Sequence, residues 1–135
     1  MPTIEGGCLC GDLRYSAPGE PAVTSICHCR NCQKQTGSAF MEVVAVPGEQ
    51  FSLRDSPSTF TNEGDSGRKL HRHFCPRCGT TVMVEAEGFA GMALVIGGTL
   101  DDTAWLRPTM ALFCERAQPW LEGRAEMKNF ARMPS

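Results

Sequence analysis

The sequence predicts a mostly β domain of antiparallel sheets, with at most short helical turns. Turn signals recur at short intervals: Gly6-Gly7, Pro18-Gly19, Pro47-Gly48, Ser56-Pro57, Gly64-Asp65-Ser66-Gly67, Gly97-Gly98, Pro108 and Pro119. The segments between them are too short for long helices, and they carry β-branched or aromatic residues, some in alternation. A chain of 135 residues suits one domain with one core.

In chain order, strands are expected over residues 22–27, 39–46, 50–54, 69–75, 80–85, 92–96 and 109–114. Residues 39–46 contain the apolar run Val43-Val44-Ala45-Val46, and residues 50–54 alternate through Phe51 and Leu53. One short helical turn is expected over 30–35, closed by Gly37 in the position a helix C-terminus favours. The single domain is expected to span 1–122. The tail, 123–135, mixes charges with isolated apolar residues and reads as a loosely docked helix or a frayed end.

Leu, Ile, Val and Phe make up just under a fifth of the chain, thin for a packed core. The formal charge of -2 gives no global basic field to recruit nucleic acid or an acidic membrane. The longest charge-free stretch in an apolar context, 88–100, is well short of the ~20 residues a membrane span needs. The first residues show neither a basic nor an apolar leader region, so the expected compartment is the reducing cytoplasm.

There, eight cysteines point to metal binding rather than to a disulfide framework. Seven fall into three groups: Cys8-Leu9-Cys10, Cys27-His28-Cys29-Arg30-Asn31-Cys32, and Cys75-Pro76-Arg77-Cys78-Gly79. The last looks like a zinc knuckle, a tight turn that aims two thiolates at one ion, with a glycine after the second. It supplies half a tetrahedron, and Cys8 and Cys10 are the obvious other half, sharing a face if their segment is extended.

Cys27, Cys29 and Cys32 then supply three thiolates, and three protein ligands leave one position for water or substrate. His28, His71, His73 or Cys114 could close that position instead. The open site is preferred because nothing local compels a fourth ligand. His28 reads as a packing residue, His71 and His73 as braces of the knuckle, and Cys114 as a buried small hydrophobe. A thioredoxin-like reading of the C-x-x-C motifs lacks the βαβ context it requires.

These motifs, with Thr36-Gly37-Ser38-Ala39-Phe40, Arg72-His73-Phe74 before the knuckle, Gly98-Thr99-Leu100-Asp101-Asp102 and Pro119-Trp120, resemble the glutathione-dependent formaldehyde-activating enzyme and centromere protein V family. The likeness runs from Gly6 to Leu121. It implies a zinc-binding β-tent fold with two zinc ions: a structural one on Cys8, Cys10, Cys75 and Cys78, and a second, catalytic one on Cys27, Cys29 and Cys32. It also implies a carbon–sulfur lyase that forms or cleaves the adduct of glutathione with formaldehyde. Cys114 sits where that pattern requires no thiol.

On this reading the open zinc takes a thiol such as glutathione and holds its sulfur beside a small carbonyl compound. Arg30, Lys34, Lys69, Arg72 and Arg77 are candidates for the thiol's carboxylates. Arg30, Lys34, Gln35, Thr36, Gly37 and Ser38 are the expected substrate-binding stretch, offering charge, amide, hydroxyl and backbone donors. No general base is identified, although Glu42, Glu85 and Glu115 could serve. The rival reading is a non-catalytic zinc module for protein or nucleic acid, which lacks the basic or aromatic cluster such a surface needs.

Overall fold

Every segment read as a strand pairs with another in the computed structural model of the chain, which describes residues 3–64, 66–121 and 127–134. The elements are β1 (Ile4–Gly7), β2 (Arg14–Ala17), β3 (Val23–Cys27), α1 (Arg30–Thr36), β4 (Met41–Pro47), β5 (Ser52–Arg54), β6 (Ser58–Glu63), β7 (Lys69–Phe74), β8 (Thr81–Ala86), β9 (Met92–Ile96), β10 (Met110–Leu112) and β11 (Lys128–Asn129), with short 3-10 turns between some of them. The larger sheet runs β11-β10-β3-β4-β9-β8-β7-β6, and β1-β2-β5 form a smaller one. Pairing is antiparallel throughout, except that β10 lies parallel to both β3 and β11.

The expected single core divides into two clusters because β4, near the middle of the large sheet, is covered on both sides. Val44 and Val46 face the small sheet, where they pack with Ile4, Leu13, Tyr15, Ala17 and Val95. Met41 and Val43 face the other way and pack with Cys27, Cys32, Val84 and Ile96. A strand sends alternate side chains to opposite faces, so burial on both faces accounts for the unbroken apolar run through Val46.

Gly6 and Gly7, expected to form a turn, lie inside β1 instead. A Cβ on Gly6 would stand 2.3 Å from both the Thr99 carbonyl oxygen and the Tyr15 hydroxyl. The glycine is there for close approach: β1 bridges to Leu100, and the Tyr15 hydroxyl bonds Thr99 Oγ1 at 2.7 Å. Gly6→Ala is therefore expected to destabilise the protein by about 1–3 kcal/mol through overpacking, read as a lower Tm in a thermal melt.

The helix follows the expectation, with Gly37 as its left-handed C-cap at φ 66°. The tail does not. Lys128 and Asn129 pair with Met110 and Ala111 as an edge strand, neither helix nor frayed end, because β10 would otherwise present an open edge. The expected domain boundary at residue 122, residues 123–126 and Ser135 lie outside the described residues.

Candidate metal centres

Two groups of thiols are gathered so that their sulfurs lie within 4.8 Å of one another: Cys8, Cys10, Cys75 and Cys78, and separately Cys27, Cys29 and Cys32. All eight cysteines are free thiols. The first group joins the cluster between the two sheets, and the second lies on the other face of the large sheet.

Cys75 and Cys78 occupy the tight turn between β7 and β8. The Gly79 N–H donates to the Cys75 carbonyl at 2.8 Å, and φ of 81° at Gly79 is the left-handed conformation that a side chain would resist. The Arg77 and Cys78 N–H groups point at Cys75 Sγ from 3.4 and 3.5 Å. Cys8 and Cys10, expected on one face of an extended strand, instead form a second tight turn just after β1. There Gly11 N–H bonds the Cys8 carbonyl at 3.1 Å and Leu13 N–H bonds Cys8 Sγ at 3.2 Å. An extended chain would pair those donors in a sheet, whereas the turn aims one of them at the sulfur. Thr80 Oγ1 ties the turns together, accepting from Leu9 N–H at 3.2 Å and meeting Cys78 Sγ at 3.3 Å.

Cys8 and Cys10 sulfurs are 3.6 Å apart, and Cys10 and Cys75 sulfurs 3.7 Å. Sulfurs at ~2.3 Å from a tetrahedral zinc stand about 3.8 Å from one another, whereas a disulfide brings them to ~2.05 Å. The four donors therefore fit a closed tetrathiolate site.

The second group is built by the end of β3 and the start of α1. Cys27 is the last residue of β3, Cys29 is the N-cap of α1, and its sulfur accepts the Cys32 N–H at 3.3 Å. Buried Gln33 locks this corner, its Nε2 donating to the His28 carbonyl at 2.7 Å and the Arg116 carbonyl at 3.0 Å. Its Oε1 accepts from Gln118 Nε2 at 2.7 Å and from Arg30. Sequence reasoning missed Gln33; the available signal was an amide side chain beside a candidate ligand, without the distant loop that it reaches. Phe113, packed against this cluster, holds a left-handed conformation at φ 54°, uncommon for an aromatic residue.

Among the described residues no fourth side chain joins the trio. The His28 ring is buried edge-on to Phe40, 5.7 Å away. His71 and His73 brace the sheet rather than the knuckle: their Nδ1 atoms bond Thr61 and Thr59 on β6 at 2.8 Å, and His73 Nε2 meets Glu85 on β8 at 2.6 Å. Cys114 is half-buried rather than buried, its sulfur against the Ala111 carbonyl at 3.5 Å.

The thiols share protons unevenly. Hydrogen bonds from Cys27 and Cys32 bring the Cys29 thiol down to about 2. The Cys29 contact, with burial, outweighs the lowering contact from Cys32 and pushes Cys27 up to about 12, while contacts with Cys27 and Cys29 and burial hold Cys32 above its ordinary value. In the other group, hydrogen bonds from the Thr80 side chain and backbone bring Cys78 down to about 5. The Asp12 backbone bond draws Cys10 down, but desolvation and the neighbouring thiols outweigh it and push Cys10 up to about 12. Burial pushes Cys8 up, yet bonds from Leu13 N–H, Cys10 and Cys75 leave it below the ordinary value. In the trio Cys29 is thus the ready thiolate while Cys27 and Cys32 keep their protons, and a bound cation displaces them.

The expected substrate-binding stretch is largely engaged within the fold. Thr36 Oγ1 donates to the Cys32 carbonyl at 2.8 Å, Gln35 Nε2 to Thr81 Oγ1 at 3.2 Å, and Arg30 to Gln33. The Gly37 and Ser38 N–H groups both end on the Gln33 carbonyl, while Lys34 is exposed. Arg77 pairs with Asp12 at 3.4 Å near the first group. Of the candidate bases, Glu85 leaves β8 on the face away from Val84 and the trio, Glu115 pairs with Arg132 at 3.7 Å, and Glu42 packs against Gly97.

No curated protein matches the sequence. A crystal structure of a Rhodobacter sphaeroides protein, a structural-genomics target, shares the fold with a TM-score of 0.57 at 16% identity, over 72% of this chain and 87% of that one. Among the described residues no helix is long and apolar enough to cross a membrane. Residues 3–116 match the family described as glutathione-dependent formaldehyde-activating enzyme. With that match covering most of its length and two thiol groups suited to metal within it, the chain belongs to the glutathione-dependent formaldehyde-activating enzyme family.

Proposed function

We propose that the chain is a zinc-dependent carbon–sulfur lyase acting on the adduct of glutathione, or a similar thiol, with formaldehyde or another small carbonyl compound. Zinc suits both donor sets, because thiolate ligands in tetrahedral array select it over harder cations. Cys8, Cys10, Cys75 and Cys78 hold the structural ion, and Cys27, Cys29 and Cys32 the second. The observation that carries the reading is the contrast between four gathered sulfurs and three.

Cys27, Cys29 and Cys32 would hold the ion, which when bound would supply Lewis-acid chemistry that favours the thiolate form of a thiol substrate. The chain's own residues do the rest. Gln33 and the N-terminal turn of α1 fix Cys29 and Cys32, while Met41, Val43, Val84 and Ile96 wall the site with apolar surface. Three thiolate donors blunt the acidity of the ion, so orientation of the two reactants supplies most of the acceleration. Free thiols at all eight cysteines agree with work in the reducing cytoplasm.

Cys32→Ser is the test. The purified protein is expected to carry two zinc ions and to bind glutathione saturably. The variant is expected to keep one ion and lose thiol binding. Two ions bound with indifference to thiols would favour a non-catalytic zinc module.

A further inference from the structure

Arg72 is a buried cation on the trio's side of the large sheet. On β7 it pairs with Val84 of β8 and Phe60 of β6, and in-register partners share a face, so its side chain leaves the sheet with that of Val84. Val84 and Leu70, two residues before Arg72, both belong to the cluster that contains Cys27, Cys29 and Cys32. Arg72 is 3% exposed.

Its Nε donates to Asn62 Oδ1 at 2.8 Å, but buried Nη1 meets no acceptor among the described residues. A buried guanidinium donor without an acceptor is costly, and folded proteins keep few of them. The charge lies near enough to Cys29 to help lower its pKa. Balancing the thiolates needs only that charge, so the free donor calls for a further reason.

We propose that Arg72 Nη1 receives the carbonyl-derived oxygen of the substrate: the oxyanion RS–CH2–O⁻ formed as a thiolate sulfur adds to the carbonyl carbon. This rests on the thiol-binding reading of the trio. In that step the S–C bond forms, the C=O π pair moves onto oxygen, and the oxygen then takes a proton from solvent. The reverse step removes the proton, returns the pair to C=O and breaks S–C. With the sulfur at the trio, this oxygen sits on the next carbon, whereas the carboxylates of glutathione lie many bonds further out. A donor on the trio's face of the sheet is therefore placed for the adduct oxygen rather than for the distant carboxylates, and a charged N–H fixed by burial suits an anionic oxygen.

The test uses the full chain loaded with Co(II), whose visible absorption reports the trio, titrated separately with formate and with glutathione. Formate serves as the small oxyanion probe. Arg72→Gln and Arg72→Lys are expected to weaken formate binding about 10-fold or more, with cobalt content and glutathione binding little changed. Lysine keeps the charge without the fork, so a loss in Arg72→Lys assigns the effect to the Nη1 donor. Asn62→Ala, which frees the Nε end, is expected to weaken formate in the same direction and covers the case in which Arg72→Gln fails to fold.

Unchanged formate affinity in Arg72→Lys would overturn the proposal, as would equal loss of formate and glutathione. If the wild type binds formate through Arg72 but no glutathione, the thiol reading falls and the oxyanion site stands. If it binds glutathione and no formate, the Arg72 assignment falls alone.

Discussion

Cys75→Ser is expected to abolish cooperative folding, whereas Cys29→Ser leaves a folded domain. Cys75 is 1% exposed, sits in the cluster between the sheets, receives two backbone N–H groups on its sulfur and lies 3.7 Å from the Cys10 sulfur. Structural zinc contributes ~10–16 kcal/mol in small zinc-dependent domains, as much as the whole stability of a typical fold, ~5–15 kcal/mol. The thin apolar content of this chain leaves little to replace it. Serine at position 29 keeps the cap of α1, since serine is among the best N-cap residues, and costs only one metal ligand. Far-UV circular dichroism on heating, read beside zinc content, separates the two outcomes. Equal collapse of both variants would contradict the division into a structural and a working site.

Removal of metal is expected to create an alkaline limb in the stability profile that the loaded protein lacks. Without metal, Cys10 and Cys27 hold their protons up to about 12 in the folded state, against about 8.5 for an ordinary thiol. Groups raised in this way contribute stability that is fully present below the unfolded value and is lost as pH rises toward the folded one. Cys29, lowered to about 2, and Cys78, lowered to about 5, act in the opposite sense. Their contribution is present above the unfolded value and fades as pH falls through those folded values. The metal-free protein should therefore be most stable near the ordinary thiol pKa and lose Tm on both sides of it. In the loaded protein the protons are already displaced, so the alkaline loss disappears and acid, which competes for the sulfurs, becomes the destabilising direction. Thermal melts from pH 6 to pH 11, with and without zinc, check this. An alkaline limb of the same size in both forms would rule it out.

The features legible in the sequence were those set by neighbours in the chain. The Cys75 turn follows from two thiols, a proline and a glycine in five residues. The end of α1 at Gly37 follows from the same local logic, as do the strands through Val43–Val46 and Met92–Ile96. What escaped depended on distant partners. Gly6 looks like a turn residue until Thr99 and Tyr15 close on it, and Ser58–Glu63 carries too little apolar character to announce a strand. The tail becomes β11 only because β10 offers it an edge. Arg72 could be picked out as a cation, but its unpaired donor is a product of the register across β6, β7 and β8.

The closed site also sets a timetable during synthesis. Its first two thiols and Cys75 are separated by 65 residues from Cys10 onward, about 3–13 s of elongation at typical rates. For that interval Cys8 and Cys10 are a dithiol without its partners, open to oxidation or to transient metal capture. Emergence of the β7–β8 hairpin ends the exposure, so slowed translation across that stretch would lengthen the period in which the nascent chain can be lost.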